Sequence, residues 1–333
     1  MSTCTTASRD LDEPLAGTAA TAQTWLLLEQ PGPWGAHALT SSRLDPALGR
    51  ALEASAGKTG VRIALIRRPG RHADCHKDHK DCSAPHERRV YAAHTTPGNT
   101  WLHSAVITDP QRLLDLDFAS LGMGLPQTFD AALGGAAHTG DPLALVCTNG
   151  KRDRCCALLG RPLAAELAAS GVEGVWEVTH LGGHRFSPTM LVLPYGYAYG
   201  RVQAHHVKEI LQGVREGRVI TEGCRGNSAW ERPGQAAELA VRAATGEDRA
   251  GALTVVRMTD GTDLPGSADR PGSGGAPRWE VTLAHTDGRR WQVTVARGAE
   301  LPPRPESCGS PLGSPASMAV VAVHEHAPVP ALR

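Results

Sequence analysis

The residues best suited to chemistry are cysteines and histidines in two neighbouring loops. Cys147 follows the apolar run 143–146, and the adjacent pair Cys155 and Cys156 comes eight and nine positions later. His180 and His184 flank Leu181, Gly182 and Gly183, just after a second apolar run over 175–178. Each loop follows an expected strand, and an expected helix lies between them. Two soft sulfur donors and two imidazoles can therefore converge on one metal centre, and zinc and iron–sulfur chemistry both accept that set. The plainer alternative is buried core cysteines beside two surface histidines. Gly182 and Gly183 argue against a helical His-x-x-x-His pair, since each glycine costs about 1 kcal/mol in a helix interior. In a loop, glycine instead lets the backbone bend tightly around a bound group. Adjacent side chains point in different directions, so one of Cys155 and Cys156 is expected to face the centre and the other the core. A vicinal disulfide between them would be strained.

Between the sulfurs lie Lys151, Arg152, Asp153 and Arg154. They read either as a solvated turn or as a charged rim that docks an acidic redox partner or balances the charge of the centre. Tyr195, Tyr197 and Tyr199 alternate past Gly196 and are expected to close a core, and Arg201 to brace the ligand loop.

The elements that must position these groups follow an α/β plan. Residues 1–20 read as a flexible lead-in. Strands are expected at 24–29, 61–66, 90–93 and 102–107. A helix opens at Asp45 and Pro46, with aspartate as cap and proline in the first turn, and another spans 110–116. Residues 134–142 look like a joint. Then come strand 143–147, helix 156–169, strands 175–179 and 189–193, helix 203–215 and a short apolar segment 218–220. The two halves share an order of elements without a sequence repeat. Beyond residue 222 the pattern changes to a helix over 234–245, a strand at 253–258, a flexible connector over 260–277 and a hairpin turning at Asp287 and Gly288. The last 30 residues read as loop-rich.

Composition narrows the function. The 333 residues carry 34 Lys plus Arg against 34 Asp plus Glu, so the balanced charge argues against a nucleic-acid binder. The start lacks a secretory pattern and the apolar runs fall short of the roughly 20 residues a spanning helix needs, which points to a cytoplasmic protein with no membrane partner. Eight cysteines without a C-x-x-C spacing, in a reducing compartment, read as ligands or reactive thiols rather than a disulfide frame. A polar insert over 69–89 holds a second set, Cys75, His76, His79 and Cys82 with His72 and His86 nearby, able to bind zinc, nickel or copper but read first as a polar loop. Cys4, Cys224 and Cys308 stand isolated. No glycine-rich phosphate loop occurs.

The loop from Cys147 to Cys156, the run from Thr179 to Pro188 and the stretch from Leu193 to Arg201 together resemble the sucrase/ferredoxin-like family, as do Pro14 to Thr18 and Trp25 to Trp34. The resemblance covers roughly residues 10 to 215, and its three ordered motifs make it specific. It implies a thioredoxin-like ferredoxin with a [2Fe–2S] cluster held by Cys147, Cys156, His180 and His184, with Cys155 as the alternative to Cys156. Asn149 stands where the family often has histidine. The implied architecture is two tandem thioredoxin-like domains: a degenerate one over 21–135 and a ferredoxin domain over 140–221, followed by a small α+β extension over 222–333. Mixed thiolate and imidazole ligation raises a cluster's potential above that of four thiolates. If the imidazoles keep an ionisable nitrogen, electron uptake couples to proton uptake, and a potential constant between about pH 6 and pH 9 would count against that coupling. The expected role is an electron carrier with a redox protein as partner rather than a stand-alone enzyme. Two other readings use the same residues: a zinc-binding Cys2His2 module, and a metal-free thiol oxidoreductase working through Cys155 and Cys156. A glycosidase is disfavoured, because no carboxylate pair can be set across a sugar bond.

Overall fold

The computed structural model describes residues 3–70, 87–260, 276–299 and 301–326. The second Cys/His set of the polar insert lies outside the described residues, as does most of the expected connector.

The backbone is mixed α/β around a large mixed sheet. Ten strands contribute: β1 (Thr24–Glu29), β2 (Val61–Arg67), β3 (Arg88–His94), β4 (Trp101–Ile107), β5 (Ala136–Ala137), β6 (Leu143–Cys147), β7 (Val175–Val178), β8 (Met190–Leu193), β9 (Tyr197–Tyr199) and β10 (Cys224–Asn227). Their order across the sheet is β10-β9-β8-β6-β7-β2-β1-β3-β4-β5. The same pairing occurs twice. In the first half β1 runs parallel to β2 and antiparallel to β3, which pairs with β4. In the second, β6 runs parallel to β7 and antiparallel to β8, which pairs with β9. The halves join edge to edge through antiparallel β2 and β7, with Ile66 opposite Val178 and Arg67 opposite Glu177. Arg67 and Glu177 form a buried ion pair at 2.7 Å across this seam, and Thr148 Oγ1 donates to the same carboxylate at 2.8 Å.

Helices cover the faces: α1 (Cys4–Asp10), α2 (Pro46–Ala56), α3 (Phe118–Gly122), α4 (Gln127–Leu133), α5 (Arg161–Ala169), α6 (Ala204–Arg215) and α7 (Arg232–Thr245). The α2 start follows its sequence signals, with Asp45 Oδ1 accepting from Ala47 N at 2.8 Å and Pro46 in the first turn. A second sheet of β11 (Leu253–Asp260), β12 (Arg278–His285), β13 (Arg290–Ala299) and β16 (Ala316–His326) forms an antiparallel meander, and the short strands β14 (Arg304–Pro305) and β15 (Leu312–Gly313) pair with each other as a separate sheet. The hairpin at Asp287 and Gly288 joins β12 to β13. Helix α7 lies between the two sheets. Leu239 packs into the core of β6, β8 and α6, while Ala236, Ala237 and Val241 pack on the four-stranded sheet.

Three expectations change. Residues 1–20 do not form a loose lead-in throughout: Thr3 caps α1 through Thr6 N, and Cys4, Thr5 and Ser8 are buried. The last 30 residues include the 11-residue strand β16, whose pairing with β13 no local pattern signals. The expected helix at 110–116 is a 3-10 helix, Pro110–Asp115, and the apolar segment 218–220 contributes only an isolated bridge from Arg218 to Arg249. Strand β10 pairs antiparallel with β9 at the edge of the ten-stranded sheet.

Among the described residues, no helix is long and apolar enough to cross a membrane.

Candidate metal centre

Strands β6 and β7 are parallel neighbours, so the loops that leave their C-terminal ends lie side by side. Cys147 is the last residue of β6, anchored by its N–H to Thr189 O at 3.0 Å. Cys156 opens a π-helical turn, Cys156–Gly160, that runs into α5. Gly160 lets this turn approach the strand: a Cβ there would stand 2.1 Å from the Cys147 carbonyl oxygen.

Side chains from both loops meet. Cys156 Sγ lies 3.5 Å from His184 Nδ1, and the His180 and His184 rings stack with centroids 4.4 Å apart. Cys147 accepts a hydrogen bond from Cys156 and contacts His180. The bond from Cys156 draws the Cys147 thiol well below the usual range against the opposing effect of burial, and His180 and the Leu181 N–H add to the lowering. Burial, reinforced by the neighbouring His180, pushes His184 down to about 4. The cysteines are buried and the histidines half-buried, so the sulfur side is sealed and the imidazole side reaches solvent. Asp153, Cys156 and His184 place donor atoms within 4.8 Å of one another, a group able to hold a metal ion.

The 180–184 loop is held by its carbonyl oxygens. Arg62 donates to His180 O at 2.8 Å, Arg225 to Gly182 O at 3.1 Å and Thr5 Oγ1 to His184 O at 3.1 Å. Arg225 also binds Thr18 through its hydroxyl and carbonyl oxygens. It is fully buried, and that burial, with Arg185 nearby, pushes its pKa down to about 9. Gly183, at φ +70°, leaves room for this guanidinium, since a Cβ there would sit 2.1 Å from it. Arg62 and Arg225 are single residues on distant strands, and no spacing marks them in the sequence.

Other candidates fall elsewhere. Cys155 turns away from the histidines toward Cys4 and Cys308. Lys151 and Arg152 are exposed. Asp153 is not part of an exposed rim: it is buried, and its carboxylate accepts from Cys155 N and Cys308 N, both at 2.8 Å. Arg201 braces α1 and its following turn rather than the ligand loop directly, donating to Ser8 and to Glu13 O, while its own N–H bonds Phe186 O.

Glu13 ties three segments together. Arg185 and Arg304 donate to its two carboxylate oxygens at 2.7 and 2.9 Å. Burial pushes the carboxyl up, but the bonds from Arg304 and Arg185 outweigh it and hold it below its ordinary 4.5. A depressed carboxylate contributes stability that is complete above the unfolded value and is lost as pH falls through the folded one. Hydrogen-exchange protection of residues 301–313 is therefore expected to be constant near neutrality and to drop below about pH 4.5, and protection unchanged down to about pH 3 would refute this.

No curated protein and no solved structure matches the chain at a significant level. The family model described as sucrase/ferredoxin-like matches residues 15–226, which contain β1 through most of β10 and both ligand loops. With that match over more than half its length, the chain belongs to the sucrase/ferredoxin-like family.

Proposed function

We propose that Cys147, Cys156, His180 and His184 hold a [2Fe–2S] cluster and that the protein is an electron carrier built from two thioredoxin-like halves. The observation that carries this reading is the approach of Cys156 Sγ to His184 Nδ1, with the His180 ring stacked on His184 and Cys147 beside Cys156 and His180, where the loops after β6 and β7 adjoin. The donor set suits the group, thiolates and imidazoles being established ligands of such clusters. When bound, the cluster would supply a one-electron couple. The chain's own residues do the rest. The buried cysteines keep water from the sulfur side, Arg62, Arg225 and Thr5 fix the histidine loop, and the half-buried imidazoles form the face through which a redox protein would approach. The repeated strand pairing on either side of the β2–β7 seam supports the tandem thioredoxin-like reading.

One observation favours a second reading, a single zinc ion. With Zn–S of about 2.3 Å and Zn–N of about 2.0–2.1 Å, tetrahedral donors stand about 3.5 Å apart, and Cys156 Sγ to His184 Nδ1 is 3.5 Å. A diiron core with its cysteines on one iron and its histidines on the other needs that pair further apart. Absorption and electron paramagnetic resonance of anaerobically purified protein decide between them. The first reading requires visible colour and a paramagnetic signal on one-electron reduction; a colourless protein with one zinc at these residues overturns it.

A further inference from the structure

A second donor cluster lies beside the first. Cys4 Sγ is 3.5 Å from Cys155 Sγ and 3.6 Å from Cys308 Sγ, and Cys155 Sγ is 3.2 Å from Cys308 Sγ. Asp153 Oδ2 stands 3.9 Å from Cys4 Sγ, and the donor atoms of all four residues lie within 4.8 Å of one another. Cys4, Asp153 and Cys155 are buried and Cys308 half-buried. These residues come from α1, from the loop between the first centre's sulfurs and from the segment after β14, 304 positions apart at the extremes.

A disulfide joins two sulfurs at about 2.05 Å and leaves a third without purpose. Three mutually touching sulfurs with a carboxylate at hand match a different need. Around a tetrahedral ion with metal–sulfur bonds of about 2.3 Å, sulfurs stand about 3.8 Å apart, so two sides of this triangle need to open by about 0.2–0.3 Å and the Cys155–Cys308 side by about 0.6 Å. Burying a carboxylate among thiols is unfavourable unless a cation or donors compensate it. Asp153 has two backbone donors, and a cation would compensate both the carboxylate and the thiolates.

We propose that Cys4, Cys155 and Cys308, with Asp153 as fourth donor, hold a second metal ion, a divalent ion of the zinc type. As the metal–sulfur bonds form, the three thiols release their protons to solvent, and no electron is transferred. The ion fastens the N-terminal helix and the C-terminal segment onto the loop that carries Cys156. Because Asp153 also lies within 4.8 Å of the Cys156 and His184 donors, the second site fixes the wall of the first. This does not depend on which group occupies the first centre.

The test uses the full chain, incubated anaerobically with zinc or cobalt(II) and desalted. A variant carrying Cys147→Ala and Cys156→Ala, which cannot assemble the first centre, together with Cys75→Ala and Cys82→Ala, which removes the thiols of the polar insert, is expected to retain a single ion per chain. Its cobalt form should show thiolate-to-cobalt charge-transfer bands and intense tetrahedral ligand-field bands. Adding Cys308→Ser to that background is expected to lower metal retention at least about tenfold. Cys4→Ser provides the same readout if the Cys308 variant does not fold. Three results would each overturn the proposal: no ion in the first-centre variant, retention unchanged in both added substitutions, or a mass deficit of two hydrogens showing a disulfide among the three cysteines.

Discussion

Cys147→Ala is expected to yield a folded protein that has lost its first centre. The side chain is buried at the end of β6 among Leu145, Trp176 and Val178, so alanine fits and costs on the order of 1 kcal/mol in packing. Under the proposed ligation, the loss of a thiolate ligand is the larger effect. Removing even a group that only orients a ligand costs about 10–100-fold in metal affinity, so loss of a ligand itself should leave little visible absorption per chain after purification. The companion experiment replaces both histidines with cysteine. Four thiolates can still hold a two-iron cluster, but plant-type clusters of that kind lie near about −400 mV, against about −150 to +300 mV where two histidines replace two cysteines. The His180→Cys, His184→Cys variant is thus expected to keep its colour and to lose several hundred millivolts of potential. Colour that survives in Cys147→Ala, or a potential that does not move in the histidine variant, would remove these residues from the centre.

How much of this was legible in the sequence depends on separation along the chain. Cys147, Cys156, His180 and His184 lie in one strand–helix–strand unit, and parallel strands joined by a short crossover put their exit loops on the same sheet edge. The apolar runs 143–146 and 175–178 marked the strands, and Gly182 with Gly183 marked a loop. Cys4 and Cys308 carried no such mark, because their meeting with Cys155 depends on where α1 and the segment after β14 pack. Arg62 and Arg225 escaped for the same reason. Surface charge misled at Asp153: in a run of four charged residues its neighbours Lys151, Arg152 and Arg154 are exposed, while its own carboxylate is drawn inward by the N–H groups of Cys155 and Cys308. The joining of both halves into one sheet was equally hidden. The β2–β7 seam rests on two residue pairs, too few to impose a pattern.

The integration of the C-terminal part leads to the largest expected change in stability. Glu238 and Arg242 lie one turn apart on α7 and are both fully buried, with Arg242 Nη2 3.0 Å from Glu238 Oε1. Tyr197 of β9 donates to the same carboxylate oxygen and accepts from Arg242 Nη2 at 2.8 Å, while Trp230 Nε1 donates to Glu238 Oε2 at 3.1 Å. Arg242 also donates to the carbonyl oxygens of Glu247, Arg249 and Ala250. The network thus pins α7, and with it the four-stranded sheet, to the ten-stranded one. Glu238→Gln leaves a buried guanidinium without its counter-charge, and breaking such a pair costs about 3–5 kcal/mol. The midpoint of thermal or denaturant unfolding should fall accordingly. Replacing the pair together, Glu238→Leu with Arg242→Leu, removes the stranded charge but leaves the Tyr197 O–H without its acceptor, the Trp230 N–H without a partner and the carbonyl oxygens of Glu247, Arg249 and Ala250 without the guanidinium, at roughly 1–3 kcal/mol for each group left unsatisfied. The costs of the two variants therefore differ in kind. Adding Tyr197→Phe should recover stability in the double-leucine background, because it removes one of the unpaired groups. In the Glu238→Gln background it should not, because the guanidinium then loses a further acceptor. Equal effects of Tyr197→Phe in the two backgrounds would show that the three side chains do not act as one unit.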